Sequence, residues 1–415
     1  MLSRRRLVAG TALALCTPAL VRAQAVAEVT VGALYPLSGA NAQIGIDARH
    51  ALETAADIIN NAHPDLDLPL AREAGLPGLG GVKVRLIYAD HQGDPQKGRT
   101  EAERLITQEK VPVLLGTYQS AVAATVSQTA ERHAVPFMSA DNSSPSLHRR
   151  GLRFYFRASP HDEMFSAVMF DFLDALRKKG EKIETIALFY EDTIFGTDSS
   201  NVQRKFAGER GYRIVSDVKY RANTPSMSAE IQQIKAGNAD VLMPSSYTTD
   251  SILMVKTMSE LGYKPKAIIA QSVGFADKAF LDAVGPQVEN FITRGAFSLD
   301  LAQKRPSVGR VNEMFRARAG KDLNDNTARE FMALLLLAYG VDLARSLEGI
   351  KIRDGLAKTD IPGEKTIMPW KKVSYEDTGQ NPDADPVLLQ YRGGKLVTVY
   401  PEQAAVTEAV WPMSK

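Results

Sequence analysis

Cysteine is almost absent from this chain, with only Cys16 among 415 residues. One thiol cannot close an internal disulfide, so a disulfide scaffold is excluded. Charge of one sign is not in excess either: Lys and Arg number 50 and Asp and Glu 48, for a formal net charge of +2. That balance gives no reason to expect nucleic acid or another polyanion as a partner. Beyond the N-terminal segment no stretch approaches about 18 uninterrupted apolar residues, the length that points to a membrane-spanning helix. Catalytic signatures are missing as well. There is no Gly-x-Ser-x-Gly elbow and no Gly-x-x-x-x-Gly-Lys phosphate loop. His50, His63, His91, His133, His148 and His161 are scattered without metal-ligand spacing and read as surface or capping residues. No metal and no cofactor is expected.

What is present begins with an address. Residues 1–25 carry a basic start, Ser3-Arg4-Arg5-Arg6-Leu7, then a largely apolar run over 7–20 and small-residue cleavage sites at Ala23 and Ala25. The run is too short to span a bilayer, which takes about 20 residues. A cleaved export signal is expected, placing the protein in the periplasm. Paired arginines after Ser3, with Leu7 two positions beyond them, also fit the twin-arginine route. An ordinary secretory signal with three basic residues is the alternative. Removing residues 1–23 takes Arg4, Arg5, Arg6 and Arg22 from the 50 basic residues and no acid, leaving 46 against 48 and no cysteine.

From Glu28 onward, apolar runs alternate with segments of helical periodicity. Strands are expected over 30–35, 84–89, 113–115, 136–139 and 153–157, and helices over 45–61, 95–108, 121–132 and 163–178. A second series follows, with strands 186–190, 213–218, 241–244 and 267–271 and helices 197–207, 227–236 and 251–261. Strands separated by helices of about 10–15 residues imply βαβ crossovers and a parallel sheet covered on both faces. Residues 61–81, with Pro64, Pro69, Pro77 and four glycines, read as an inserted loop. Two long helices, 307–319 and 327–346, and a hairpin over 386–400 turning at Gly393-Gly394 complete the chain. The expected fold class is α/β with two doubly wound parallel-sheet lobes. Length alone asks for two or three domains, because single cores stop growing at roughly 250–300 residues.

Several motifs, taken in order, resemble a known family. Gly32-Ala33-Leu34-Tyr35-Pro36-Leu37-Ser38-Gly39 and Ile44-Gly45 resemble the opening of the periplasmic leucine/isoleucine/valine-type binding proteins of ABC importers. Tyr88-Ala89-Asp90-His91-Gln92-Gly93-Asp94-Pro95, Leu115-Gly116-Thr117-Tyr118-Gln119-Ser120 and Val135-Pro136-Phe137-Met138-Ser139 resemble later segments. So do Tyr190-Glu191-Asp192-Thr193-Ile194-Phe195-Gly196 and Glu260-Leu261-Gly262-Tyr263. The resemblance implies a type I periplasmic binding fold: two lobes joined by three crossing strands, with ligand held between them. It places the crossings near Arg157, Phe297 and Val373, lobe 1 at 26–157 and 298–372, and lobe 2 at 158–297 and 373–415. It implies a monomeric receptor, not an enzyme, that captures a small carboxylate, amide or amino-acid-like ligand and delivers it to a membrane ABC permease. A sensor on the same fold is the runner-up. An exported α/β enzyme ranks below it, for want of catalytic motifs.

Such folds bind ligand with loops at the carboxyl ends of parallel strands, where hydroxyls, helix N-terminal N–H groups and aromatic walls meet. Ser120 precedes the helix 121–132, where it could be an N-cap; the resemblance aligns it with a carboxylate-binding serine. By the same resemblance Asn142 offers a backbone group and Ser143 a hydroxyl and an N–H, in a stretch that is otherwise an ordinary polar turn. Tyr118 shares the Ser120 loop and could close one wall. Phe195 and Tyr247 match aromatics of the second lobe, with lobe-core packing as the alternative. Ser272 falls near where amino-acid binders carry an acid for the ligand ammonium. No acid occurs between Glu260 and Asp277, and a buried ammonium without a partner is costly. Asp141, Asp162 or Asp250 would have to substitute. The expected ligand therefore has an anionic or amide head and an apolar or aromatic body, in preference to a free α-amino acid.

Overall fold

The computed structural model describes residues 28–271 and 273–413; the export segment, residues 1–25, and Ser272 lie outside the described residues. In chain order the first half comprises β1 (Glu28–Tyr35), α1 (Ala42–Asn60), β2 (Lys83–Asp90), α2 (Pro95–Thr107), β3 (Val113–Gly116), α3 (Ser120–Arg132), β4 (Phe137–Ser139), β5 (Tyr155–Arg157) and α4 (Asp162–Lys178). There follow β6 (Thr185–Glu191), α5 (Ile194–Glu209), β7 (Arg213–Tyr220), α6 (Ser228–Gly237), β8 (Val241–Ser245), α7 (Thr248–Glu260), β9 (Ile269–Ala270), α8 (Lys278–Val284) and β10 (Ile292–Gly295). The remainder is α9 (Pro306–Ala319), α10 (Asp325–Ala344), α11 (Gly349–Ala357), the short pair β11 (Ile361–Pro362) and β12 (Lys372–Val373), and the hairpin β13 (Val387–Arg392) and β14 (Lys395–Tyr400). Residues 61–81 hold no regular element beyond a single 3-10 turn at Pro77–Leu79.

The first lobe is a parallel sheet in the order β2-β1-β3-β4-β5. Successive side chains of a strand point to opposite faces. On β1, Val29, Val31, Ala33 and Tyr35 face one core, which they share with α1, α9 and α10. Leu34, with Leu114 and Phe137, faces the other, against α2 and α3. Both faces are buried, which is why these strands read as apolar runs and not as alternating ones. Gly32 serves the second face: a Cβ there would stand 2.7 Å from Leu114 and 3.0 Å from Leu105. α10 is buried around nearly its whole circumference, as a helix through the middle of a core must be.

The second lobe repeats the plan with β7-β6-β8. Ile186 and Leu188 face α4 and α5, and Ala187 and Phe189 face α6, α7 and α8. One bridge, Leu242 to Ile268, carries the sheet on to β9, β10, β13 and β14. The last two strands run antiparallel, so this lobe's sheet is mixed where the sequence reading expected a parallel one. The strand read over 267–271 is reduced to Ile269–Ala270.

The chain passes between the sheets three times, after β5, after β10, and between β12 and β13. The first and third passages run side by side. The Arg157 N–H donates to the Gly379 carbonyl (2.8 Å), and the Asn381 N–H donates to the Arg157 carbonyl (3.0 Å). The second is held by Asp325, whose Oδ1 accepts the N–H groups of Ala296 and Phe297. Its Oδ2 takes Arg329 at 2.8 Å and Arg294 at 3.5 Å, and all three side chains are fully buried. Removing one partner from a buried ion pair costs about 3–5 kcal/mol, because the other charge is left uncompensated. Asp325→Ala is therefore expected to lower the unfolding free energy by about that much in a urea titration. A loss below about 1 kcal/mol, the worth of an exposed pair, would show that Asp325 does not carry the second passage.

Candidate functional site

In an open α/β sheet, ligands bind outside the carboxyl ends of the strands where the strand order reverses. Lobe 1 reverses between β1 and β3, and lobe 2 between β6 and β8. The loops leaving those strands meet across the gap between the lobes. From lobe 1 comes Tyr118, with φ at +78°, a left-handed conformation that costs a residue bearing a Cβ about 1–2 kcal/mol. Its neighbours hold it there. The Asn142 Oδ1 accepts the Thr117 N–H (3.1 Å), and the Thr117 hydroxyl donates to the Gln119 carbonyl (3.1 Å). His91 Nε2 donates to the Thr117 carbonyl (3.0 Å), while its Nδ1 accepts the Gly93 N–H (3.0 Å). That pairing fixes the tautomer. His91 is buried, contrary to the surface reading, and desolvation pulls its pKa down to about 4.

The N-cap of α3 is Gln119, with extended φ and ψ of −81° and 131°, so Ser120 is the first helical residue and not the cap. Its N–H is one of the amides that a helix start leaves without an internal partner. It donates to the Tyr247 hydroxyl across the gap, at 3.4 Å. Asn142 spends its side chain tying the loop after β4 to Thr117 and Ser139. The Ser143 carbonyl accepts the Asp162 N–H (2.8 Å), and the Ser143 side chain offsets part of the desolvation that raises the Asp162 carboxyl. The Ser143 hydroxyl thus faces the hinge.

From lobe 2 comes a turn built on Glu191. Its carboxylate accepts the Thr193 hydroxyl (2.7 Å) and the Gly196 N–H (2.7 Å), starting α5 at Ile194, earlier than periodicity indicated. Position 196 must be glycine, because a Cβ there would stand 2.1 Å from the Glu191 carbonyl oxygen. Burial raises the Glu191 carboxyl to about 6. The turn presents Phe195, whose ring centroid lies 5.2 Å from that of Tyr247; Tyr247 lies 5.2 Å from Tyr118. Ile44 packs on the tyrosines. Tyr118, Ser120, Phe195 and Tyr247 are thus brought together, whereas the Asn142 and Ser143 side chains stand behind them. Ser272 lies outside the described residues.

The acids fall differently from expectation. Asp250 accepts the Asn223 N–H (3.1 Å) just beyond the carboxyl end of β7, and Asp162 sits at the hinge, where Gln271 donates to it at 3.0 Å. Asp141 is buried beside Glu330. The acid that sequence reasoning passed over is Asp277. Its Oδ2 accepts the Thr248 hydroxyl (2.5 Å), and that hydroxyl oxygen is 3.5 Å from the Tyr118 hydroxyl. Its Oδ1 accepts the Asn326 and Asn324 amides of lobe 1 at 3.0 and 3.3 Å. Asp277 thus reaches the gap from a turn five residues beyond the position where an acid was sought. Further contacts close the gap: Ser144 with Asp198, and the Thr249 hydroxyl to the Ala40 carbonyl (3.3 Å).

The chain belongs to the periplasmic binding protein family, whose model matches residues 28–395. Among curated relatives, a Leu/Ile/Val-binding protein homolog 8 of Brucella abortus is 30% identical over 417 residues, 97% of this chain and 98% of the relative. A homolog 7 of Brucella suis is 28% identical over 94% of this chain and 96% of its own length. The fold is shared with a leucine-binding protein of Thermotoga maritima (TM-score 0.76, 19% identity, 90% of this chain and 98% of that one). It is shared too with a Rhodopseudomonas palustris solute-binding protein solved with benzoate (TM-score 0.75, 18% identity, 92% and 98%). The architecture is the type I periplasmic binding fold.

Desolvation raises the Asp277 carboxyl from an ordinary 3.8 to about 7, opposed in part by the Thr248 hydrogen bond. Between about pH 4 and pH 7 the native state holds a proton that the unfolded chain has released, so stability falls as pH rises through that window. Asp277→Asn removes this ionisation. The stability of the variant relative to the natural protein is expected to grow by on the order of 2–4 kcal/mol from pH 4 to pH 8. A pH-independent difference in paired denaturation curves would rule the ionisation out.

Proposed function

We propose that this protein is the periplasmic receptor of an ABC importer, acting as a monomer by binding and not by turnover. Residues 1–25 direct its export, with cleavage near Ala23 or Ala25. The observation that carries the reading is the meeting of two topological switch points, with the Ser120 amide of one lobe against the Tyr247 hydroxyl of the other. A small carboxylate-bearing solute takes the place of that hydroxyl at the start of α3, where unpaired N–H groups favour an anionic oxygen. Tyr118, Phe195 and Tyr247 enclose its apolar body, and the peptide groups of Asn142 and Ser143 border it. Contacts to both lobes favour the closed arrangement, which the permease then reads. The Rhodopseudomonas palustris neighbour solved with benzoate supports a solute that carries a carboxylate.

Ser120 allows a direct test. Proline is tolerated at the first helical position, and the extended Gln119 before it suits a proline. Ser120→Pro is expected to keep the fold and weaken carboxylate binding by about 10- to 100-fold, as loss of one or two charge-assisted hydrogen bonds would. Titration calorimetry against branched-chain amino acids and benzoate checks it. Unchanged affinity for a carboxylate that binds the natural protein would move the site elsewhere.

A further inference from the structure

The turn Asp90-His91-Gln92-Gly93-Asp94 leaves β2 and packs against two other loops of lobe 1. Its two acids are spent on fixing the turn itself. The Asp90 Oδ1 accepts the N–H groups of Leu37 and Gln92, both at 2.9 Å, and its Oδ2 accepts the Ser38 hydroxyl (2.5 Å). Asp94 caps α2 through the Gln96 and Lys97 N–H groups, at 2.7 and 3.0 Å. His91, between them, serves the loop after β3. Its ring is wholly buried and joins the Gly93 N–H of its own turn to the Thr117 carbonyl, at 3.0 Å on each side. Desolvation keeps the ring neutral, so one nitrogen donates while the other accepts. Thr117 is thereby held twice, at its N–H by Asn142 (3.1 Å) and at its carbonyl by His91. The planar peptide that carries this carbonyl sets the direction in which Tyr118 leaves. Tyr118 is left-handed, Gln119 is extended, and Ser120 opens α3. Gly93 brings the turn against the same loop: a Cβ there would stand 3.2 Å from the Gln119 Nε2.

We propose that His91 is a positioning residue for the solute carboxylate: its Nε2–H, by holding the Thr117 carbonyl, sets the angle at which the Ser120 N–H is presented. The inference rests on the receptor reading above. His91 acts through the loop and touches no solute itself. An N–H···O bond weakens steeply once its angle closes toward about 120°, so a tilted loop forfeits the bond to the carboxylate first. The aromatic wall is less exposed to that loss, since Phe195 and Tyr247 come from lobe 2 and only Tyr118 rides on the loop. Removing the Nε2–H therefore takes away preference for the acid over its neutral amide, more than it takes away affinity for the body of the solute.

Titration calorimetry on the mature chain at pH 7 tests this with two matched pairs, benzoate against benzamide and L-leucine against L-leucinamide. In at least one pair the acid is expected to bind the natural protein about tenfold tighter than its amide, because a charge-assisted hydrogen bond is roughly twice as strong as a neutral one. Three variants separate the functions of the ring. His91→Gln keeps a donor near Nε2, His91→Asn keeps an acceptor near Nδ1, and His91→Leu keeps neither. The acid-to-amide ratio is expected to stay within about twofold of its natural value in His91→Gln, and to fall about fivefold or more in the other two. If His91→Leu does not fold, His91→Gln and His91→Asn decide. Acid and amide weakened alike in His91→Asn, with the ratio unchanged, overturn the positioning role and leave the receptor reading standing. So does a ratio that falls as far in His91→Gln as in His91→Asn. Equal binding of acid and amide by the natural protein, or no binding of all four compounds, overturns the positioning role and the carboxylate reading together.

Discussion

The carboxylate of Asp325 is the point on which the two lobes hang. It receives two backbone amides of the second passage and two guanidiniums, one from β10 and one from its own helix. Those arginines act further out. Arg329 holds the carbonyl of Asp141, while Arg157, from the first passage, holds the carbonyls of Asn142 and Ser144 at 3.0 and 2.9 Å. The polar loop of lobe 1 is therefore suspended by its own backbone oxygens from buried cations on the hinge. Lysine could not replace these residues, since a planar fork is needed to reach several acceptors at once. Arg294 adds a stacking contact, with its guanidinium 3.8 Å from the centre of the Phe165 ring.

This arrangement makes the hinge both stiff and electrically loaded. Arg157 meets Gln380, two carbonyls and His148, none of them a carboxylate. Desolvation and the nearby arginines keep His148 and His161 neutral, at about 3 and about 2. The positive charge left over is answered by the buried Asp162 carboxyl group.

The alternation of strand and helix, and with it the fold, was legible because strands buried on both faces leave apolar runs and the helices over them leave a 3.6-residue period. Tyr118, Ser120, Phe195 and Tyr247, which the structure brings together at the gap, were marked by their motifs. Hinge and acids were not. Arg329 and Glu330 lie in α10, which periodicity marks only as a long apolar helix, and nothing local says that its polar residues turn inward. Asp277 was missed because a turn of chain folds it back toward Thr248, and sequence distance from Ser272 misrepresents distance in space. The Ser120 reading erred by one residue for a related reason: Gln119 takes the extended cap conformation without lending its side chain, so no capping signature marks it.

In the proposed reading, the contact between Tyr247 and the Ser120 amide is a tethered rival for the carboxylate site. Any solute competes with a hydroxyl whose effective concentration is that of an attached group, not of a free molecule. A solute offering one oxygen and nothing more exchanges like for like and gains little. One that also fills the aromatic wall gains on every further contact. In that reading the tyrosine sets a threshold of chemical complexity that a solute must exceed to displace it.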